Sequence, residues 1–222
     1  MNTGAKLFLL WLSLLCALAY GTATSALAQR TARKTPRPPV VAQPAPLAAR
    51  PVADKLAPAG WMRYEIGDPV RLSLLLPGEP VATADRVSLM PGTSGLQRSY
   101  MSVRDSGVYG LTYLEGLPAA LLQETWKREF FAGFAKEFAG TIQTSLKARG
   151  TDVRLTMSEP RAATAGGLIG YEQDFSYGTL MGRVKMVFDG ANAYAVVAVW
   201  NGLSSSSERS AFFDSLQVNA TR

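Results

Sequence analysis

From Trp61 onward, apolar and polar positions follow two different periods. Trp61 to Ile66 and Val70 to Leu76 read as strands, the second running into the turn Pro77-Gly78-Glu79-Pro80. A weaker strand covers Arg86 to Met90, and Leu96 to Val103 with Val108 to Leu114 form a hairpin across residues 104–107. After Gly116 the period becomes helical. From Pro118, a favourable first-turn residue, to about Arg149, apolar side chains recur at Leu122, Trp126, Phe130, Phe134, Phe138, Ile142 and Leu146, with charged residues opposite them. This is a core-facing helix, with Gly150 as its natural stop.

Strands resume at Thr151 to Ser158, Leu168 to Tyr177, Leu180 to Phe188 and Ala193 to Trp200. The last is apolar without alternation, as a central strand covered on both faces should be. Ser205 followed by Glu208 predicts a capping box on a short final helix that carries Phe212 and Leu216. Together these elements predict an α+β domain: an α/β/α sandwich around a largely antiparallel β-sheet, with one long central helix and a short C-terminal helix.

The residues before Trp61 are of another kind. Leu7 to Ala19 is a thirteen-residue run with Ser13 as its one polar member, preceded by Lys6 and followed by Ala26-Leu27-Ala28. This reads as a secretory signal over residues 1–28, cleaved between Ala28 and Gln29. The alternative is an uncleaved anchor, but a bilayer span takes about 20 apolar residues and Gly21, Thr22, Thr24 and Ser25 interrupt the run. Residues 29–60 hold seven of the thirteen prolines and six basic residues against Asp54 alone. That composition predicts a disordered, flexible linker in extended polyproline form, and the domain is assigned to residues 61–222.

Charge changes meaning once it is placed. The chain carries a formal +6, yet from Trp61 on there are sixteen basic and sixteen acidic residues. The excess lies on the signal and the arm. The domain therefore has no general electrostatic grip on nucleic acid, whereas the arm suits anionic envelope polymers or lipid headgroups.

Candidate chemistry is sparse. The chain has no His, and its one cysteine, Cys16, falls inside the signal. The commonest general base, metal ligands and nucleophile are thus missing, which leaves carboxylates, Tyr, Lys and Ser. No catalytic, cofactor-binding or metal-ligating residue is assigned. Gly166-Gly167-Leu168-Ile169-Gly170 lacks the order of a nucleotide loop, and Gly92-Thr93-Ser94-Gly95 lacks the spacing of a nucleophile elbow. Ser204 to Ser207 reads as a linker and cap. Tyr100, Tyr109, Tyr113 and Trp126 stand at core spacing, with an aromatic groove as the alternative.

One constellation follows from spacing. If Gly178-Thr179 is a two-residue hairpin turn, Asp174 stands opposite Arg183 and Glu172 opposite Lys185. All four then share one face, while Tyr171, Phe175, Tyr177, Leu180, Val184, Met186 and Phe188 take the other. The four form a candidate docking patch or a plain solvated face. Each carboxylate already has a cation opposite it, which disfavours a Ca²⁺ contact.

Short motifs add a resemblance. The opening Trp61, the strand and turn Leu74-Leu75-Leu76-Pro77-Gly78-Glu79-Pro80, the segment Gly167-Leu168-Ile169-Gly170-Tyr171-Glu172 and the closing Phe212-Phe213-Asp214-Ser215-Leu216 resemble PsbP-like domains. That family is named after an extrinsic subunit of photosystem II and shares an α/β/α sandwich with a Ran-binding nuclear factor. The resemblance spans about Trp61 to Val218. It implies an accessory or binding role of the secreted bacterial type, and the family's His-bearing region has no counterpart here. The expected function is an exported, nonenzymatic accessory domain, periplasmic or extracellular, with a protein partner in the cell envelope. The alternatives are an envelope enzyme working through carboxylates or Tyr, and a membrane-tethered accessory protein that keeps its signal.

Overall fold

The computed structural model describes residues 44–67, 71–90 and 93–219. The expected signal, the expected Ala28-Gln29 junction and the first part of the arm lie outside the described residues. Among the described residues, twelve strands are arranged in two sheets: β1 (Ala49–Val52), β2 (Met62–Ile66), β3 (Leu72–Leu76), β4 (Val81–Met90), β5 (Thr93–Arg104), β6 (Gly107–Glu115), β7 (Leu155–Met157), β8 (Arg161–Ala165), β9 (Leu168–Tyr177), β10 (Leu180–Asp189), β11 (Asn192–Trp200) and β12 (Gln217–Val218). Two α-helices, α1 (Glu124–Lys147) and α2 (Ser206–Phe213), accompany them among the described residues.

The larger sheet has the order β4-β5-β6-β11-β10-β9-β7, with β8 also paired to β9, and the smaller has the order β1-β2-β3-β12. The pairings are antiparallel. This is the α+β sandwich the alternation predicts. It adds one feature: the layer opposite α1 is a second sheet working together with α2.

β11 shows why its sequence does not alternate. Ala193, Ala195, Val197 and Val199 enter the core under α1, while Tyr194, Val196, Ala198 and Trp200 enter the core shared with the small sheet. Both faces are dry, so both parities must be apolar. Burying each of these larger side chains contributes roughly 1.5–3 kcal/mol.

α1 differs from its prediction in phase. Its buried residues are Phe131, Ala135, Ala139 and Ile142, with Phe130, Phe134 and Phe138 only partly covered and Trp126 exposed. Residues four apart advance ~40° around a helix per step, so a long series at that spacing walks off the buried face. Small Ala135 and Ala139 lie at the contact because they let the helix approach the sheet. The turn before it, Ala119–Leu122, is 3₁₀ and separate from α1.

The expected boundary at Gly60 is corrected. Within the stretch expected to be linker, β1 pairs with β2 from Ala49↔Ile66 to Val52↔Arg63. Proline is tolerated there because of its register. Gly67 N–H donates to the Ala48 carbonyl, so the 48/67, 50/65 and 52/63 pairs carry the ladder bonds and Pro51 falls between them. Its missing N–H is on the solvent side, where an edge strand needs no donor.

Candidate functional site

The candidate site is built on three neighbouring strands. Gly178 has φ +58° and turns β9 into β10 with the register expected, Arg183 opposite Asp174 and Lys185 opposite Glu172. The two faces also separate as expected: Phe175, Tyr177, Val184, Met186 and Phe188 are buried under α1, with Tyr171 and Leu180 packed beside them. β8 then lies on the outer side of β9, joined by Gly166 at φ +57° and Gly167 at φ +77°. Consecutive left-handed residues of this kind make a tight hairpin that glycine adopts without strain. Gly166-Gly167 is accordingly a strand turn. Ser205 completes its capping box with Glu208, and Ser204 bonds the buried Tyr109 hydroxyl at 2.8 Å.

β8 brings a residue that the sequence reading did not include. Arg161, opposite Glu172, contacts Glu172 Oε1 at 2.8 Å and Asp174 Oδ2 at 2.9 Å through Nη2. Arg183 reaches Asp174 Oδ1 at 2.6 Å through Nε and lies 3.9 Å from Glu172 Oε2 through Nη1. Lys185 Nζ sits 3.7 Å from Glu172 and 3.5 Å from Asp214, beyond the end of α2. Phe213 lies beneath both cations, 5.4 Å from the Arg183 guanidinium carbon and 5.9 Å from Lys185 Nζ. The four predicted residues are thus brought together, and Arg161, Phe213 and Asp214 join them.

Burial is graded across the network. The Lys185 side chain is 8% exposed and Glu172 14%, whereas Arg161 is 44% exposed. A charge buried to that degree is tolerable only with partners, and Lys185 has two carboxylates and an aromatic face. Burial works to raise the Asp174 pKa, but hydrogen bonds from Arg183 and Arg161, with their charges, outweigh it and hold the carboxyl below its ordinary value. The hydrogen bond that Arg161 donates to Asp174 raises the Arg161 pKa against the opposing effect of its own burial. With guanidiniums on both carboxylates, the arrangement presents fixed charge and directed donors. Among the described residues, no group of three or more His, Cys, Asp and Glu side chains is placed to hold a metal ion.

The aromatic alternative separates cleanly. Tyr100, Tyr109 and Tyr113 are buried in the core between the sheets, and Trp126 stands exposed on α1. Among the described residues, no helix is long and apolar enough to cross a membrane.

Fold and site together define a two-sheet α+β sandwich with a paired charged flank at one side of its larger sheet. No family model matches the chain. No curated protein matches it either. Among solved structures, the solution structure of cyanobacterial PsbP (CyanoP) from Synechocystis sp. PCC 6803 is similar at a TM-score of 0.44 and 10% identity, covering 76% of this chain and 98% of that one.

Proposed function

We propose that this chain is an exported, nonenzymatic accessory domain, presented on a basic Pro-rich arm and docking a protein partner in the cell envelope. The observation that carries the reading is the exposed side of the charged flank. Arg161, Asp174 and Arg183 are held in fixed positions by one another on paired strands, with their side chains between 31% and 44% exposed. Charges fixed in this way can meet a complementary surface with little further ordering, which favours specific docking.

A second observation weighs against the enzymatic alternative. The carboxylates with displaced pKa values, Asp54, Glu115, Asp174 and Glu208, all move downward. Such groups are ionised acceptors at neutral pH, whereas a carboxyl acting as general acid needs the opposite shift. The apolar run before Ala28 supports export, and the basic residues at 30, 33, 34 and 37 suit anionic envelope polymers or lipid headgroups.

Cross-linking of the full chain in intact cells tests the reading, with Arg161→Glu/Arg183→Glu compared with the parent. One abundant partner, lost in the double variant, is expected. Equal recovery from both would overturn the assignment of the flank. Mass spectrometry of the same samples should find an N-terminus at Gln29, and an intact Met1 in the membrane fraction would favour the tethered form.

A further inference from the structure

The strand formed by the end of the arm closes one edge of the small sheet. Beyond the ladder with β2, its attachments are few. Tyr100 Oη donates to the Leu47 carbonyl at 3.0 Å, and Arg63 Nε donates to Asp54 Oδ2 at 2.8 Å. Three of the four β1 residues are exposed, and only Leu47, Ala49 and Ala57 from this stretch pack against the core.

The receiving side does not depend on it. Arg63 is also held by Ser73 Oγ at 3.2 Å and by the Ser215 carbonyl at 2.9 Å, and β2 is paired along its whole length with β3. If β1 leaves, the acceptor edge and its arginine stay in place.

We propose that residues 47–54 are a strap that opens as a unit while the rest of the sandwich remains folded. The elements with little buried apolar surface are the ones that open locally, well below the free energy of global unfolding. Opening has two consequences. It uncaps the β2 edge, whose outward N–H and C=O groups belong to Arg63, Glu65 and Gly67. It also converts residues 47–54 into chain, which at ~3.3 Å per residue lengthens the tether by roughly 26 Å. The second consequence matters only for a tethered domain and so rests on the proposed function. The opening itself does not.

Strand geometry supplies a test independent of any partner. Alternate residues of β2 point their amides to β1 or to β3. Native-state hydrogen exchange of the full chain, read amide by amide by NMR, should show Arg50, Val52, Arg63, Glu65 and Gly67 exchanging together. Their rate should be at least about ten-fold faster than that of Tyr64 and Ile66, which bond to β3. Asp54→Asn should accelerate the first group by about a further ten-fold, the loss expected for one charge-assisted bond, and leave Leu72 to Leu76 unchanged. Equal rates for the odd and even positions of β2 would overturn the proposal. So would an Asp54→Asn effect spread evenly over both sheets, because the latch would then belong to the global fold.

Discussion

Arg183 and Asp174 face one another directly across the β9–β10 pair, Nε 2.6 Å from Oδ1. The same carboxylate takes a second guanidinium from Arg161 on β8. One aspartate thus ties three consecutive strands at the flank of the larger sheet.

That relationship has a pH signature. The folded pKa of Asp174 lies below its ordinary value of 3.8, because Arg183 and Arg161 outweigh the effect of burial. A depressed carboxyl stabilises the fold above the unfolded pKa, and that contribution fades as pH falls from about 4 through the folded value. The side chain is a third exposed, so the contribution at neutral pH is about 1 kcal/mol. Asp174→Asn should therefore lower stability at pH 7 and leave it nearly unchanged at pH 2. Denaturant titrations at the two pH values measure this, and an equal loss at both would contradict it.

Gly182 is fixed by a ring. A Cβ built there would lie 2.1 Å from Cζ of Phe175, its partner across the β9–β10 ladder. Phe175 also packs edge-to-face with Phe138 and Tyr177, so it has little room to retreat. Gly182→Ala is expected to cost about 1–3 kcal/mol by overpacking. Urea unfolding of Gly182→Ala beside Phe175→Leu/Gly182→Ala checks the cause, because the smaller side chain should recover part of the loss.

Phe131 anchors α1 to the sheet. It is fully buried, and its ring lies 5.8 Å from that of Tyr171. Phe131→Ala should destabilise the protein by about 3–5 kcal/mol. Phe130→Ala, one residue along but only partly covered, should cost distinctly less. Thermal unfolding of the two variants distinguishes the observed phase of the helix from the one the spacing of four implies, which would reverse their order.

The other edge of the larger sheet carries its own protection. β4 has ten residues and pairs only with β5 among the described residues, and Asp85 and Arg86 are exposed at its middle. A two-fold antiparallel pairing of two such edges centred on either residue would set like charges opposite each other. Charged side chains at this place are a common guard against edge-to-edge association. Asp85→Thr/Arg86→Thr should raise the apparent mass in light scattering at high concentration, and an unchanged monomer fraction would show that the edge is protected by other means.

Much of the fold is legible along the chain because local chemistry decides it. The capping box at Ser205 and Glu208, the Gly178 turn with its register and the doubly apolar β11 each depend on residues a few positions apart. Four of the residues in the charged flank follow from that register alone. β1 and β8 were not legible. Arg161-Ala-Ala-Thr-Ala and Ala-Arg-Pro-Val carry little β-propensity or apolar alternation, and they are strands because β9 and β2 offer unpaired edges.

The sequence by itself determined most of the elements, their periods and the placement of charge, since those are set by side chains within a turn or a hairpin of one another. Only the tertiary structure decided that Arg161, Phe213 and Asp214 complete the flank, that the end of the arm is a strand and that α1 buries Phe131 in place of Trp126. Each of these depends on which surface a segment meets across the fold, and no local pattern encodes that meeting.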